Sequence, residues 1–217
     1  MNVTDAVAAR KSIRAFLDKP VDEGLLRELL NKAARSPSGG NVQPWRLFVL
    51  NNEAVSRFKQ FLAETQIEEA PEYPIYPANL TAPYRDSRFK VGEDMYALLG
   101  IPREDKPARF AHLARNFAFF DAPSAFFCFV DRQMGPPQWS DLGMFLQTFM
   151  LLAQEAGLDT CAQEAWANRP NAVRQFVAAP DELMLFCGMA IGYRDPDAPV
   201  NTLVSDREPL DAFATFV

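Results

Sequence analysis

Ser124-Ala125-Phe126-Phe127-Cys128-Phe129-Val130 and Leu142-Gly143-Met144-Phe145-Leu146-Gln147-Thr148-Phe149-Met150-Leu151-Leu152-Ala153-Gln154-Glu155-Ala156-Gly157 together decide the fold. The first is a near-continuous apolar run of strand length, the pattern of a strand buried on both faces. The second places Leu142, Phe145, Leu146, Phe149, Met150, Leu152 and Ala153 over more than half of a helical circumference, and Gly157 stands where a left-handed C-terminal cap belongs. A helix this apolar belongs in a core or an interface.

Working outward, Leu47 to Leu50 and Leu183 to Ile191, the latter closed by Gly192, read as two further buried strands. Asp22 is a good N-cap for a helix carrying Leu25, Leu26, Leu29, Leu30, Ala33 and Ala34, which must stop before Pro37. Thr4 is placed to cap a first helix, Asn52 or a neighbour to start one carrying Val55, Phe58, Phe61 and Leu62, and Asn168 with Pro170 to start another. Phe110, Leu113, Ala114 and Phe117 form a helical stripe. Between residues 67 and 107 six prolines interrupt the pattern with tyrosines interleaved, which reads as an excursion with short helices, a lid or a packing arm. The tail from Tyr193 to Val217 reads as an extended arm lying across another surface, of its own chain or of a second protomer. The expectation is one α+β domain over residues 1–217, with about four to five mostly antiparallel strands among more numerous helices.

The 217 residues are 48% hydrophobic and 23% charged, ordinary values for a globular chain. A net charge of −6 has the wrong sign for a protein whose main partner is nucleic acid. No apolar stretch approaches membrane-spanning length and the first residues lack signal-peptide order, so a cytoplasmic protein is expected. Cys128, Cys161 and Cys187 have neither disulfide-framework nor zinc spacing and read as buried thiols. With one histidine, His112, inside a helical pattern, side chains alone are poorly equipped for triad or metal chemistry. No metal ligand set and no catalytic side chain is assigned.

Four segments carry what chemistry there is. Residues 1–20 hold Arg10, Lys11, Arg14 and Lys19 against Asp5 and Asp18, a local +2. If that stretch is extended, Arg10, Ser12 and Arg14 point the same way as donors for one anion, and a phosphate monoester suits them. A solvated basic helix end is the plainer alternative. Ser36 to Trp45 is a tight loop of exposed amides anchored by an aromatic ring, or an ordinary helix-to-strand connection. Asp159 to Trp166 supplies small residues beside a carboxylate, and Arg207 stands alone in the tail.

Taken in order, these segments resemble the flavin-dependent nitroreductase family. Arg10-Lys11-Ser12-Ile13-Arg14-Ala15-Phe16 matches its RxSxRxF opening, and Ser36-Pro37-Ser38-Gly39-Gly40-Asn41-Val42-Gln43-Pro44-Trp45 its SPSxxNxQPW loop. Gly157-Leu158-Asp159 and Arg207 with Pro209-Leu210 match two later elements. The resemblance implies a nitroreductase-like homodimer with the long helix at its interface, C-terminal arms on the partner, and FMN in interfacial clefts. It implies that Arg10, Ser12 and Arg207 hold the phosphate and ribityl chain and that Lys11 and Arg14 lie along the pyrimidine edge. Pro37, Ser38, Gly39 and Asn41 would approach from the neighbouring protomer, and Glu164 and Ala165 match the turn whose amide reaches flavin N5. Two departures stand out: Ser205 where some relatives have a basic residue, and Ala165 where glycine is common.

The same resemblance implies a ping-pong transfer of electrons from NAD(P)H through FMN to a nitroaromatic, and to quinones, giving nitroso and then hydroxylamine products. Tyr73, Tyr76, Tyr84 and Phe89 either roof the substrate slot or pack the dimer. Flavin cleavage, reductive dehalogenation and non-catalytic flavin binding are the alternatives.

Overall fold

The structure is a computed structural model that describes residues 1–217. Four strands, β1 (Arg46–Asn51), β2 (Ser124–Asp131), β3 (Asp159–Gln163) and β4 (Leu183–Gly192), form one sheet in the order β1-β2-β4-β3, every pair antiparallel. Side chains alternate across β2. Ala125, Phe127 and Phe129 enter one core, while Phe126, Cys128 and Val130 enter the other, so the central strand is buried on both faces.

Helices α1 (Val3–Ala9), α2 (Glu23–Ala33) and α6 (Pro136–Glu155) lie on one side. Helices α3 (Glu53–Glu64) and α7 (Pro170–Val177) cover the other, where the rings of Phe58, Phe119, Phe127 and Trp166 meet. The fit there is tight: a Cβ on Gly188 of β4 would run into the Trp166 ring. Helix α4 (Tyr84–Leu98) belongs to the excursion, α5 (Lys106–Ala114) follows it, and α8 (Leu210–Phe213) belongs to the tail. No helix is long and apolar enough to cross a membrane. All three cysteines are buried and unpaired.

Local chemistry explains the boundaries. Asp22 caps α2 by accepting the Leu25 N–H at 2.8 Å, as expected of a short carboxylate at that position. Helix α6 begins earlier than its apolar stripe, at Pro136 and Pro137, whose missing N–H groups cost nothing in a first turn. It ends before Gly157, which takes φ +76°.

Several expectations are corrected. Asn2, not Thr4, caps α1, and Arg169, not Asn168, precedes α7. Asn52 precedes α3 without a capping bond, its amide serving Val21 instead. The small-residue segment after Gly157 is strand β3. The excursion contains a 15-residue helix, α4, longer than its prolines implied. In α5 the stripe faces outward, with Phe110 and Leu113 68% and 52% exposed, and the buried residue is His112. Helix α6 buries one face only; Met144 is 38% exposed and Leu151 half-buried.

Candidate functional site

The edge of β3 organises the basic segment. Ser12 bridges Thr160 in parallel, the Ile13 N–H donates to the Thr160 carbonyl at 3.0 Å, and Phe16 bridges Arg194. Residues 10–16 are thereby extended, and Arg10, Ser12 and Arg14 alternate along one edge as their spacing requires. Buried Asn201 fixes the position of Arg14. Its Oδ1 accepts the Arg14 N–H at 2.9 Å, and its Nδ2 donates to the carbonyls of Ala15 and Asp195 at 2.8 and 2.9 Å.

The charge on this edge is uncompensated. Arg10, Lys11 and Arg14 make no ion pair, although the chain forms twelve salt bridges elsewhere. Arg10 Nε is buried with no hydrogen-bond partner at all. A buried guanidinium nitrogen without an acceptor is a costly arrangement that an anion would relieve.

The second loop is pinned by different means. Ser36 is buried with its hydroxyl on the Ala33 carbonyl, and the Gly39 N–H donates to buried Asp141 of α6 at 3.2 Å. Ser38 Oγ accepts the Gln43 N–H at 3.0 Å. Gly40 and Asn41 adopt left-handed conformations at φ +57° and +58°, which explains glycine and asparagine there. Pro37, Gly39 and Asn41 are consequently exposed and Ser38 half-buried.

Glu164 and Ala165 open the short 3-10 turn after β3, at the far end of the strand from the Asp159–Arg194 ion pair. Ala165 presents its carbonyl to Asn168 at 3.3 Å. Glu164 is exposed as a residue, yet partial burial pushes its carboxyl pKa up. Burial likewise raises the Cys161 thiol, partly offset by Arg14. Cys187 is raised by its hydrogen bond with Cys128 opposite, then by burial.

The remaining predicted residues do not converge in one chain. Arg207 is exposed, its guanidinium folded onto Ser205 Oγ at 2.7 Å, and it lines an 820 Å³ groove against α4 with Arg88 and Tyr76. Nothing joins it to Arg10 or Ser12. Tyr73 is half-buried, its hydroxyl donating to the Phe186 carbonyl and its ring stacked on Phe186 and tilted against Trp139; burial raises its pKa. Tyr76 lies under Arg88, while Tyr84 and Phe89 are 69% and 52% exposed on α4.

The model of the Nitroreductase family matches residues 7–193, most of the chain. The chain belongs to this family. It is 34% identical to the nitrobenzene nitroreductase of Ectopseudomonas oleovorans, covering 99% of this chain and 96% of that relative. The 4-nitrobenzoate reductase of Pseudomonas putida is also 34% identical, over 97% and 93%. Among solved structures, the FMN and NADPH-dependent nitroreductase NfnB from sphigopyxis sp. strain HMH superposes with a TM-score of 0.95 at 42% identity, covering 100% of this chain and 99% of that one. The FMN-dependent nitroreductase NfnB from Mycobacterium smegmatis, solved with NADPH, gives 0.91 at 25% identity with full coverage of both chains.

Within this nitroreductase fold, sequence reasoning missed the segment from His112 to Asn116. Asn116 accepts from Gln163 Nε2 at 2.8 Å through its carbonyl, which brings the start of the 3-10 run Arg115–Asp121 to the end of β3. His112 and Arg115 then stand near Arg14, close enough that both arginines lower the imidazole pKa, after burial as the larger cause. Its burial between Tyr96 and Phe120 was the one unusual signal for a lone histidine.

Proposed function

We propose that this protein is an FMN-dependent oxidoreductase that transfers electrons from NAD(P)H to nitroaromatic compounds by a ping-pong mechanism, working as a homodimer in the cytoplasm. The observation that carries the reading is the unpaired cluster of Arg10, Lys11 and Arg14, with the orphaned Arg10 Nε, extended along β3. These groups fit the cofactor: a dianionic phosphate needs several donors, and an electron-accepting ring needs cations near its pyrimidine edge. The FMN and NADPH named for the superposed nitroreductases and the nitroaromatic substrates named for the relatives support the same assignment. Three unpaired thiols fit a reducing compartment.

Two copies are needed because one chain separates the two loops. Gly39 is tied to Asp141 at the start of α6, whereas Lys11 lies beside Gln154 and Gly157 at its end. Sixteen residues from 141 to 157 at 1.5 Å each set them roughly 24 Å apart. A two-fold axis that pairs α6 antiparallel with its own copy brings the Pro37, Ser38, Gly39 and Asn41 loop of one protomer to the Arg10 segment of the other. The surface such pairing requires is present. Val3, Val7 and Met144 are exposed on α1 and α6, and Phe110 and Leu113 on α5; the tail exposes Leu210, Phe213 and Phe216 with nothing of its own chain to cover.

Bound there, FMN supplies reversible two-electron chemistry, accepting hydride from NAD(P)H and reducing a nitro group first to nitroso and then to hydroxylamine. Arg10 and Ser12 hold the phosphate end, with Arg207 joining from the tail. Arg14 and Lys11 place positive charge where the reduced ring gathers negative charge, which favours reduction. Glu164 and Ala165 frame the reactive edge, and the loop of the second protomer excludes water from the ring. With no dedicated acid in this set, water provides the protons. Quinones fit the same flat slot.

Purified protein should be yellow and should bleach with NADPH in the absence of oxygen. Arg10→Ala should lose FMN on gel filtration; retention equal to the parent protein, or a colourless parent, overturns the reading.

A further inference from the structure

The 820 Å³ groove between α4 and the tail has the size of a small-molecule site, and its walls are mostly polar and charged. Most of that charge is already matched. Asp86 pairs with Arg85 at 2.8 Å, and Lys90 is held between Asp94 at 2.7 Å and Asp206 at 2.8 Å. Arg88 is different, because it takes part in none of the chain's ion pairs. Its guanidinium lies over the Tyr76 ring, 4.1 Å from the centroid. Stacking occupies the face of that plane and leaves its N–H edge free for a two-pronged bond to an oxyanion.

The neighbours of Arg88 complete a donor and acceptor set. Tyr76 is 44% exposed, so part of an aromatic surface faces the groove. The Ser87 and Ser205 hydroxyls line it, and Ser205 Oγ accepts from Arg207 at 2.7 Å, which leaves its own proton to donate. Glu208 adds a carboxylate that no cation pairs. A flat ring surface, a free guanidinium edge, hydroxyls and one acceptor match the base, phosphate and sugar of a nucleotide. An apolar ligand has no counterpart there, and the interspersed carboxylates repel a polyanion.

We propose that this groove binds the adenosine 2′-phosphate end of NADPH, with Arg88 holding the 2′-phosphate and the adenine lying against Tyr76, and that Arg88 thereby makes NADPH the preferred donor. The inference rests on the flavin reading above and adds to it a site for the far end of the electron donor. The reach is suitable. Asn201, tied to Arg14, stands six residues before Arg207, so the groove's tail wall begins within roughly 21 Å of it even if the chain is fully extended. A dinucleotide whose nicotinamide lies on the flavin bridges such a span. The 2′-phosphate is all that distinguishes NADPH from NADH, so the arginine that touches it sets the choice between them. Arg207 stays with the flavin phosphate, and Glu208 accepts from the remaining ribose hydroxyl.

Two measurements on the full flavin-loaded protein test it. In calorimetric titrations the parent should bind 2′,5′-ADP roughly ten-fold more tightly than 5′-AMP, which lacks the 2′-phosphate, and Arg88→Ala should lose that advantage. In steady-state assays the ratio of KM for NADPH to KM for NADH should rise roughly ten-fold in Arg88→Ala, with Arg88→Lys, which keeps the charge without the fork, falling between. A yellow parent that oxidises both nicotinamides with equal KM, or that prefers NADH, overturns this inference and leaves the flavin reading intact. So does an Arg88→Ala protein that keeps the parent's preference for 2′,5′-ADP. A colourless parent, or one that oxidises neither nicotinamide, overturns both.

Discussion

The aromatic side of the sheet and helix α4 are ordered by opposite means. Phe58 of α3 is fully buried and meets five rings, those of Phe61, Phe119, Phe127, Trp166 and Phe176. Helix α4 buries none of its 15 residues and is tied down by charge: Lys90 to Asp94 and Asp206, Glu93 to Arg109, and Arg88 over Tyr76. Dispersion and area burial hold the first region and are insensitive to salt. Exposed ion pairs and the part-buried Glu93–Arg109 pair hold the second, and the exposed ones are each worth little in water. The scaffold that fixes β3 and its basic edge thus rests on buried packing, while α4 in the excursion rests on charge at the surface.

The sharpest way to break this contrast is to empty the aromatic side. Phe58→Ala should cost about 4 kcal/mol by urea unfolding, and a loss below about 1 kcal/mol would show that the rings are not the main support. Asn201→Ala removes three hydrogen bonds, two that join it to Arg14 and Ala15 and one to Asp195, and should cost about 2 kcal/mol. It should also loosen FMN, since Arg14 loses its anchor.

A smaller effect is expected at His112, where the two regions meet. Its folded pKa is depressed, so the unfolded chain binds the proton more readily and stability declines as pH falls from the ordinary histidine value of 6.5 towards the lower folded one. His112→Leu should flatten that part of the profile in guanidinium melts at stepped pH. The smallest effect belongs to Glu93→Gln. The bond from Arg109 holds this carboxyl below its ordinary value, so its contribution is present above pH 4.5 and lost as pH falls through the folded pKa. The substitution should leave the melting midpoint nearly unchanged while raising amide exchange in α4 and α5; a midpoint drop as large as that of Phe58→Ala would erase the distinction between the regions.

Much of the scaffold was legible because its signals are local. Asp22, the buried run of β2 and the stripe of α6 each state their role within a few residues. Strand β3 was not, because Asp159-Thr160-Cys161-Ala162-Gln163 has weak strand propensity and becomes a strand only between β4 and residues 10–16. Helix α4 was not, because without a buried face it has no apolar period to read. At the site, the alternation of Arg10, Ser12 and Arg14 could be read directly, since an extended chain turns spacing into direction. Nothing near His112 announces Arg14, which lies 98 positions earlier in the chain and whose charge acts on the imidazole only through the fold.

If two copies share each cleft as proposed, the placement of the two loops at opposite ends of α6 has a genetic corollary. A chain crippled at Arg10 and another crippled at Asn41 would each be inert with themselves, yet a hybrid of the two would reassemble one whole cleft from its sound halves. Two silent alleles in one cell should therefore rescue each other, and two alleles damaged within the same loop should not.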